Sequence, residues 1–582
     1  MPTVGGEVYF EPAYEQNCLV NAMCVGLAKQ EEMVRAAAAG VGNAVVLMGA
    51  STGRDGIGGA SVLASAELEE GEEKRPSVQI GDPFEESKVL ECCLELLGAD
   101  LLVALQDLGA AGLTSSAGEM ASAGGVGIDI DVSRVPLREA DMEPFEIMVS
   151  ESQERMLAVV EPAKLDAVLA ACERWQTGAA AIGEVTQSGH IRVLDGDEVV
   201  GDVPVAALVD GCPLYDLAPI EPDGWIYGNR ATLDPGAEGA DTLLALLASP
   251  TIASKRWAFE QYDSIVGSRT TRRPEAAAAA VLQVPEAGSS IAVAIDGNGR
   301  RVACDPYNGT VEAVLECAQN LACVGAEPLG LTNCLNFGNP EKPAVAWQLD
   351  RSTRALADAC DALGIPVVGG NVSLYNGTDR GPIYPTPVIG LVGELPDAQV
   401  GAGLALRDGD ALALVGPFAP SVAGSELAKL RGELGSGLPG VEIADHARAL
   451  AFIREAVRAG ELSAATDVSD GGIACAIAEL AIAGGVGGRV ELDPFVELRG
   501  CSGETALFGE GPGGFVLVGE PRAIEQRVAA AQAAGLDALV IGNTGGDTLE
   551  LAAAEAEVAV EVSDAATAWR SLAGRMGEPA AA

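Results

Sequence analysis

The chain has 582 residues, of which 48% are hydrophobic, and its formal net charge is −48. This length predicts about four domains of ~150 residues each. A surface this acidic repels nucleic acid and anionic membranes, which excludes both as partners. The sequence contains no run of about 18 apolar residues and therefore predicts no membrane span.

The cysteines indicate a reducing compartment. All thirteen are scattered, and none forms a Cys-x-x-Cys pair. This usage is typical of free thiols and disfavours a zinc site, so we expect a cytoplasmic protein.

Two long stretches of the chain resemble each other. Residues 2–8 (PTVGGEV) recur as residues 366–372 (PVVGGNV), and the pairs that follow keep an offset between 359 and 367 residues. A repeat of this length indicates two tandem globular units rather than a solenoid, whose period is about 20–50 residues. The second copy has sequence ahead of residue 366 from about residue 222, whereas Met1 alone precedes residue 2. We therefore expect the first copy to lack its beginning.

Short apolar runs alternate with helical patterns along both copies, which indicates a mixed α/β fold with sheets covered by helices. In copy one the predicted elements are a strand at 45–49, a helix at 83–97, a strand at 101–105, a helix at 115–123 and two strands around the turn Asp195-Gly196-Asp197. In copy two they are strands at 291–295, 301–303 and 366–370, with a helix at 311–324.

Asp107 is a candidate metal ligand. It follows an apolar strand and precedes two glycines, Gly109 and Gly112. A carboxylate at the end of a strand is well placed to hold a metal ion against phosphate. The alternative is a helix N-cap. Copy two keeps Asp467 at this position, which favours either a structural role in both copies or a duplicated nucleotide site.

A polar run stands directly before the next predicted strand. Glu151, Ser152 and Gln153 supply a carboxylate, a hydroxyl and an amide that can fix a polar ligand. Copy two carries Glu510-Gly511-Pro512 there, which indicates that the copies have diverged in ligand recognition. The alternative interpretation is a solvated surface run.

Two glycine-rich segments are candidates for phosphate binding. Gly370, Asn371 and Ser373 offer bare backbone, an amide and a hydroxyl, and glycine lets a phosphate approach main-chain N–H groups. Asn371 can also ligate magnesium through its side-chain oxygen; the alternative is a turn with an Asx bend. The loop 52–61 can cradle a phosphate monoester but lacks the lysine of a P-loop.

Histidine is scarce in this chain. His190 falls in a turn before a predicted strand and His446 in a predicted helix, and neither neighbours the glycine or carboxylate loops in sequence. We expect both to be surface residues rather than general bases.

Taken together, these motifs resemble phosphoribosylformylglycinamidine synthase in its smaller-subunit form, an ATP-dependent amidotransferase of purine biosynthesis. The resemblance spans essentially the whole chain and is carried by PTVGGEVYF (2–10), TGRDGIGGA (52–60), LQDLGAAGLTSSAGEMA (105–121), SESQERM (150–156), GAEPLGLTNCLNFGNPEKP (325–343) and VVGGNVSLYN (367–376). It implies two fused copies of an aminoimidazole ribonucleotide synthetase-like unit, each with a sheet-rich A domain and an α/β B domain. The expected domains are a remnant of a truncated first A domain (1–35), the first B domain (36–215), the second A domain (216–400) and the second B domain (401–582).

The resemblance also implies site residues, cofactors and partners. The cofactors are ATP and Mg²⁺, and the partners are a glutaminase subunit and a small bridging subunit. The family's catalytic histidine lies upstream of residue 1, so no catalytic residue is assigned in this chain. Asn333 stands where many members carry an aspartate. The matched positions are, for magnesium, Asp107 and Asn371; for ATP, Asn333 and Gly370; and for substrate, Gln79, Glu151, Ser152, Gln153 and Ser373.

The implied reaction converts formylglycinamide ribonucleotide to formylglycinamidine ribonucleotide, with ATP and with ammonia from the glutaminase. Two other functions fit parts of the pattern: another ATP-using enzyme built on the same unit, such as a thiamine-phosphate or selenide kinase, and a non-catalytic nucleotide-binding scaffold. The long duplication argues against the kinases, since those are usually single-unit chains. We expect an N-terminally incomplete synthase chain with nucleotide affinity and little turnover.

Overall fold

A computed structural model describes residues 1–57, 81–234 and 236–577 of the chain. The chain divides into two units, residues 24–216 and residues 1–23 joined with 217–582. None of the helices in the described ranges combines the length and the apolarity that a membrane span requires. The four domain boundaries given above remain predictions.

The unit of residues 24–216 is built on one seven-stranded sheet. Its strands are β1 (Ala44–Gly49), β2 (Ala104–Asp107), β3 (Gly127–Asp131), β4 (Arg155–Val160), β5 (Gly178–Thr186), β6 (His190–Asp195) and β7 (Glu198–Pro204). Its helices are α1 (Pro83–Gly98), α2 (Gly112–Gly124), α3 (Pro144–Val149), α4 (Leu165–Trp175) and α5 (Val205–Leu208). The strand order is β2-β4-β1-β5-β3-β6-β7, and β1 is antiparallel to both of its neighbours.

Helix α1 shows why the local sequence forms its element. The Asp82 carboxylate accepts the N–H groups of Phe84 and Glu85, and a proline follows at the first helical position. The buried residues Val89, Cys92, Cys93 and Leu96 recur at helical spacing and form one apolar face. That face packs in the core between α1, α4 and the sheet.

The second unit contains a six-stranded sheet built from the middle of the chain. Its strands are β8 (Thr270–Arg272), β9 (Ala280–Val284), β10 (Ser289–Asp296), β11 (Glu327–Asn336), β12 (Val367–Ser373) and β15 (Thr386–Leu395), and β13 (Gly377–Thr378) pairs with β14 (Gly381–Pro382) apart from it. The helices of this region are α6 (Gly239–Ala248), α7 (Arg256–Phe259), α8 (Gly299–Cys304), α9 (Pro306–Cys323) and α10 (Pro343–Leu363). The order is β12-β11-β15-β10-β9-β8, which places β12 at an edge.

The same unit ends in a second seven-stranded sheet. Its strands are β16 (Ala411–Val415), β17 (Leu462–Asp467), β18 (Gly488–Glu491), β19 (Phe515–Gly519), β20 (Ala538–Thr544), β21 (Thr548–Ala553) and β22 (Ala556–Glu561). Its helices are α11 (Glu426–Arg431), α12 (Ile443–Arg458), α13 (Gly472–Gly484), α14 (Asp493–Arg499), α15 (Gly503–Phe508), α16 (Pro521–Ala533), α17 (Val562–Trp569) and α18 (Leu572–Met576).

The two seven-stranded sheets have the same topology. The order β17-β19-β16-β20-β18-β21-β22 reproduces that of the first sheet strand for strand. The pair β1–β5 shifts register once, at Val45/Val46, and the pair β16–β20 shifts once, at Leu412/Ala413. One parallel pair also recurs, β3 with β6 and β18 with β21. The predicted duplication and the mixed α/β class are confirmed.

Two expectations from the sequence are wrong. Residues 301–303, predicted as a strand, lie in helix α8, because the Asn298 side chain accepts the Arg301 N–H and starts a helix whose arginines are buried. His446, predicted at the surface, is buried in α12, where its Nδ1 lies 3.0 Å from the Glu442 carbonyl oxygen. His190 begins β6 and is partly exposed, as expected.

Candidate functional site

Hydrogen bonds connect two loops of the unit 24–216. We call residues 52–55, which follow β1, the first loop, and residues 150–155, which lead into β4, the second loop. The Ser150 hydroxyl donates to the Gly53 carbonyl at 2.6 Å, and the Gly53 N–H donates to the Ser152 hydroxyl at 3.0 Å. The Glu151 N–H donates to the Asp55 carbonyl at 2.8 Å. The two loops therefore form one rigid corner beside the sheet.

Arg155 lies inside this corner. Its guanidinium group donates to the Ser152 carbonyl at 2.8 Å, to the Thr52 hydroxyl at 2.8 Å and to the Ser150 carbonyl at 2.6 Å. Only 2% of the residue is exposed. Burial lowers the pKa of Arg155 to about 10, against the opposing effect of the Asp55 carboxylate, so the group stays cationic at neutral pH.

The Asp55 carboxylate completes the corner. It accepts the hydroxyl of Ser152 and pairs with the guanidinium of Arg138. Its side chain is 7% exposed. A buried carboxylate needs a cation and hydrogen-bond donors, and Asp55 has both.

The predicted substrate residues Glu151, Ser152 and Gln153 all lie in the second loop, but two of them serve the fold. The Glu151 carboxylate is buried and accepts the Ala111 N–H at 3.0 Å, at the start of α2. The Ser152 hydroxyl is engaged by the first loop. Gln153 is half-buried, and its amide donates to the Glu151 carbonyl at 2.9 Å.

Asp107 is exposed at the end of β2. The alternative that it caps α2 does not hold, because the N-cap residue of that helix is Ala111 and the carboxylate at the helix start belongs to Glu151. Asp107 instead lines a groove of about 520 Å³, whose other residues include Leu105 and Met156. Its carboxylate is therefore placed to meet a ligand or an ion.

A glycine makes the start of α2 possible. Gly112 has φ of +53°, and a Cβ there would collide with the Ser150 carbonyl oxygen. In copy two, Gly472 has φ of +71°, and a Cβ would lie 2.7 Å from the Gly509 carbonyl oxygen. In both copies the backbone of the second loop or its counterpart therefore packs directly against the backbone at the start of the helix.

The other predicted residues form a separate cluster in the second unit, on the parallel strands β11 and β12. Asn333 pairs with Gly370, and Asn336 with Ser373. A side chain at Gly370 would collide with the Asn333 carbonyl oxygen, so glycine lets the two strands approach closely. Asn371 is exposed, and the Ser373 hydroxyl accepts the Asn376 amide at 3.0 Å.

Copy two fills the corresponding region with buried ion pairs. Arg300, which is fully buried, binds the carboxylates of Glu11 at 3.2 Å, Glu426 at 2.5 Å, Asp470 at 2.8 Å and Glu510 at 3.2 Å. Burial, partly offset by Arg300, raises the pKa of Glu510 to about 7. Copy two therefore has the same frame as copy one, with a buried arginine bound to the counterpart of Glu151.

Gln79 and residues 58–61 of the glycine loop lie outside the described residues. Sequence reasoning missed the roles of Asp55 and Arg155, although both lie in motifs that it singled out. The comparison of the two copies carried a signal: Ser152 and Arg155 are matched by Gly511 and Gly514. The joint difference at these two positions indicates that the two polar side chains act together in copy one.

Two family profiles match the chain. The profile described as AIR synthase related protein, C-terminal domain, matches residues 40–196 and 407–552, and the one described as AIR synthase related protein, N-terminal domain, matches residues 276–395. The first two matches cover the two seven-stranded sheets except for their last strands, β7 and β22, and the third covers the six-stranded sheet except for β8.

The chain is also similar to individual proteins. It is 46% identical over 555 residues to phosphoribosylformylglycinamidine synthase subunit PurL of Moorella thermoacetica, a match that covers 94% of this chain and 75% of that protein. The structure of Thermotoga maritima PurL complexed with FGAR matches at a TM-score of 0.66 and 28% identity, covering 89% of this chain and 74% of that one. The same T. maritima protein complexed with ATP matches at a TM-score of 0.63, with 27% identity and coverage of 89% and 73%. The structure of T. maritima PurLQS matches at a TM-score of 0.62 and 26% identity, covering 89% of this chain and 74% of that one.

Proposed function

This chain belongs to the phosphoribosylformylglycinamidine synthase PurL family, and on that premise we propose that it converts formylglycinamide ribonucleotide (FGAR) to formylglycinamidine ribonucleotide with ATP and ammonia. The observation that carries this conclusion is the 46% identity to a PurL subunit across 94% of the chain. That match extends through both copies of the duplication. A structurally similar protein has been solved with FGAR and with ATP.

The proposed reaction has two stages. The amide oxygen of FGAR attacks the γ-phosphorus of ATP, and the bond between that phosphorus and ADP breaks. Ammonia then attacks the activated carbon, a C–N bond forms, and phosphate leaves with the former amide oxygen. Phosphoryl transfer of this kind depends on positioning and on neutralised charge more than on covalent chemistry by the protein. The task of this chain is therefore to orient FGAR against ATP.

The second loop is proposed to bind FGAR. The Glu151 carboxylate and the Ser152 hydroxyl are held inside the chain, at Ala111 and at the first loop. The half-buried Gln153 side chain and the backbone of the loop supply the contacts in this proposal. Gln79 and Ser373 remain proposed substrate contacts on the strength of the family resemblance.

Asn333 and Gly370 are proposed to contact ATP, and Asp107 and Asn371 to bind Mg²⁺. Each donor suits a Mg²⁺ ion, since Mg²⁺ prefers oxygen ligands and usually takes one or two from carboxylates together with substrate phosphates. Asp107 and Asn371 are both exposed, so their oxygens are accessible. The described ranges hold no cluster of three His, Cys, Asp or Glu side chains arranged for a metal ion, so phosphate oxygens of the nucleotide would have to supply further ligands. Bound Mg²⁺ would neutralise phosphate charge.

Ammonia is proposed to come from a glutaminase subunit, in a complex that also contains a small bridging subunit. The support is that a structural relative, T. maritima PurL, has been solved in the PurLQS assembly. Free ammonium can replace the glutaminase in an assay of the isolated chain.

The test is incorporation of labelled nitrogen. The full chain is incubated with FGAR, Mg-ATP and ¹⁵N-ammonium, and the product is analysed by mass spectrometry. We expect a small yield of amidine that carries one ¹⁵N and forms only when ATP is present. Binding of ATP without any labelled amidine would refute the proposal and favour a nucleotide-binding scaffold.

A further inference from the structure

The guanidinium group of Arg155 ties the two loops of the unit 24–216 together from inside. Each of its three nitrogens donates to one loop oxygen, on Ser152, Thr52 and Ser150. The residue is almost wholly buried, so it does not present its charge at the surface. Arg155 can therefore shape a ligand site only through the residues that it holds.

Two other buried arginines bind carboxylates in addition to backbone carbonyls, since Arg300 donates to the Gly424 carbonyl at 2.9 Å and Arg301 to the Ala423 carbonyl at 3.3 Å. Arg300 binds four carboxylates, and Arg301 binds the Glu312 carboxylate at 2.5 and 3.0 Å. The three hydrogen bonds of Arg155 go to neutral oxygens, two of which are backbone carbonyls. Buried carbonyls need donors, and a guanidinium with several N–H groups in fixed geometry holds several peptide groups at once. Arg155 thus fixes the course of the backbone.

Copy two builds the corresponding corner with no arginine at the position of Arg155, and Arg300 and Arg301 instead donate to the Gly424 and Ala423 carbonyls there. Gly514 occupies the Arg155 position, and a Cβ on Gly514 would lie 2.9 Å from the Phe418 ring, so an aromatic side chain fills that space. Ser421 takes the place of Asp55, because its carbonyl accepts the N–H of the matching glutamate at 2.9 Å. The sheet of copy two has the same strand order with glycine at this position, so the strand order does not require an arginine there.

From these contacts we infer that Arg155 is a positioning residue, which holds the peptide groups of Ser150 and Ser152 in the orientation in which the second loop binds FGAR. It does not touch FGAR itself. The identity of the ligand rests on the proposed function. Loss of the guanidinium frees two buried carbonyls and the Thr52 hydroxyl, and the second loop relaxes. The nucleotide contacts assigned to β11 and β12 are unaffected, so the effect falls on FGAR rather than on ATP.

Two substitutions and one control test this role by steady-state kinetics. Arg155→Met keeps an apolar stem without the guanidinium, and Arg155→Lys restores a cation with three donors. Arg174→Ala is the control, since Arg174 is an exposed arginine of the same unit that pairs with Glu95. For Arg155→Met we expect the KM for FGAR to rise at least about tenfold, because buried acceptors lose their donors. The KM for ATP stays near that of the wild type, Arg155→Lys recovers part of the loss, and Arg174→Ala behaves as wild type.

Hydrogen exchange supplies a readout that needs no turnover. The N–H groups of Gly53 and Glu151 bridge the two loops. Arg155→Met should speed exchange at these two amides and leave strands β1 and β4 protected. Unchanged exchange at both amides overturns the inference.

Two further results also overturn it. One is an FGAR KM in Arg155→Met equal to that of the wild type. The other is loss of protection throughout the sheet with no recovery in Arg155→Lys, which would mark a purely structural residue. A wild-type chain without FGAR-dependent turnover refutes the proposed function instead, and the exchange experiment then still decides whether Arg155 holds the loop.

Discussion

The Ser152 hydroxyl both donates and accepts a hydrogen bond within the chain. Its O–H donates to the Asp55 carboxylate, and its oxygen accepts the Gly53 N–H. The residue that the family resemblance assigns to substrate therefore also sets the course of the first loop. Its effect on FGAR binding includes this indirect part.

Replacing Ser152 by alanine removes one partner of the Asp55 carboxylate and leaves the Gly53 N–H without its acceptor. We expect the free energy of unfolding to fall by about 1–3 kcal/mol, the cost of unsatisfied buried polar groups. The KM for FGAR should rise in parallel. Urea unfolding and steady-state kinetics measure the two effects, with Ser188→Ala, an exposed serine of the same unit, as the control. Wild-type stability in Ser152→Ala would contradict this account.

Asp467, the counterpart of Asp107 in copy two, gives the protein a pH-dependent stability. Burial, with a further contribution from the Asp296 carboxylate, raises the pKa of Asp467 to about 7. An unfolded aspartate titrates near pH ~4, so between these values the folded chain holds a proton that the unfolded chain has lost. The contribution of this group to the free energy of unfolding is therefore favourable at low pH and falls as the pH rises from about 4 to about 7.

Asp467→Asn removes this titration. We expect the difference in unfolding free energy, variant minus wild type, to grow between pH ~4 and pH ~7 by an amount on the order of a few kcal/mol. Chemical unfolding at four or five pH values measures it. A difference that stays constant across this window would show that Asp467 titrates alike in the folded and unfolded chains.

At the scale of elements, the start of helix α2 depends on a residue far along the chain. The Glu151 carboxylate accepts the Ala111 N–H, and in copy two the Glu510 carboxylate accepts the Gly471 N–H at 2.8 Å. This explains structurally why both copies carry a glutamate there. The sequence pattern suggested Asp107 as a possible cap because such patterns use only neighbouring residues. Glu151 is 40 residues from Ala111 and therefore cannot enter such a pattern.

Gly112→Ala should disturb both this helix start and the second loop. The residue would take a left-handed backbone conformation, which costs about 1–3 kcal/mol for a non-glycine residue, and its Cβ would collide with the Ser150 carbonyl. We expect a lower melting temperature and weaker FGAR binding. Gly98→Ala is the matched control, since a Cβ at Gly98 meets nothing within 4 Å. Equal melting temperatures in the two variants would contradict the role of the close packing.

Gly370→Ala tests the β11–β12 pair in the same way. A Cβ there would push on the Asn333 carbonyl and separate the strands, whereas a Cβ at Gly369 makes an ordinary contact of 3.7 Å with the Thr332 hydroxyl. We expect Gly370→Ala to raise the KM for ATP several-fold and to leave the KM for FGAR much less affected. Gly369→Ala is the control. A larger effect from Gly369→Ala than from Gly370→Ala would refute the assigned nucleotide contact.

At the scale of the whole molecule, one folding frame appears twice with different interiors. The sheets agree in order, in bulge and in the parallel pair, while Arg155 of copy one corresponds to Gly514, beside Phe418, in copy two. The shared sheet topology therefore determines where a ligand site can form, and the side chains at the corner determine which ligand that site binds. This separation accounts for why the fold tolerates the divergence.

Sequence patterns predict the duplication and many of the strands, but they do not predict the hydrogen bonds between the first and second loops. Repeated motifs revealed the duplication, and apolar runs located strands such as β1 and β10, because those signals are local. The strand order and the Arg155 hydrogen bonds were not predictable, since Thr52 and Arg155 are about a hundred residues apart in sequence. The strand predicted at 301–303 was wrong for a related reason: the carboxylate partners of the adjacent Arg300 lie at least 126 residues away in sequence, so nothing local marks the helix as buried.

The most direct test of the central claim is phosphate release by the full chain with Mg-ATP and a high ammonium concentration, measured with and without FGAR. The proposed function predicts release that depends on FGAR and saturates with it. Equal release with and without FGAR, in a chain that still binds ATP, would contradict the assignment of this protein as an FGAR-dependent synthase subunit.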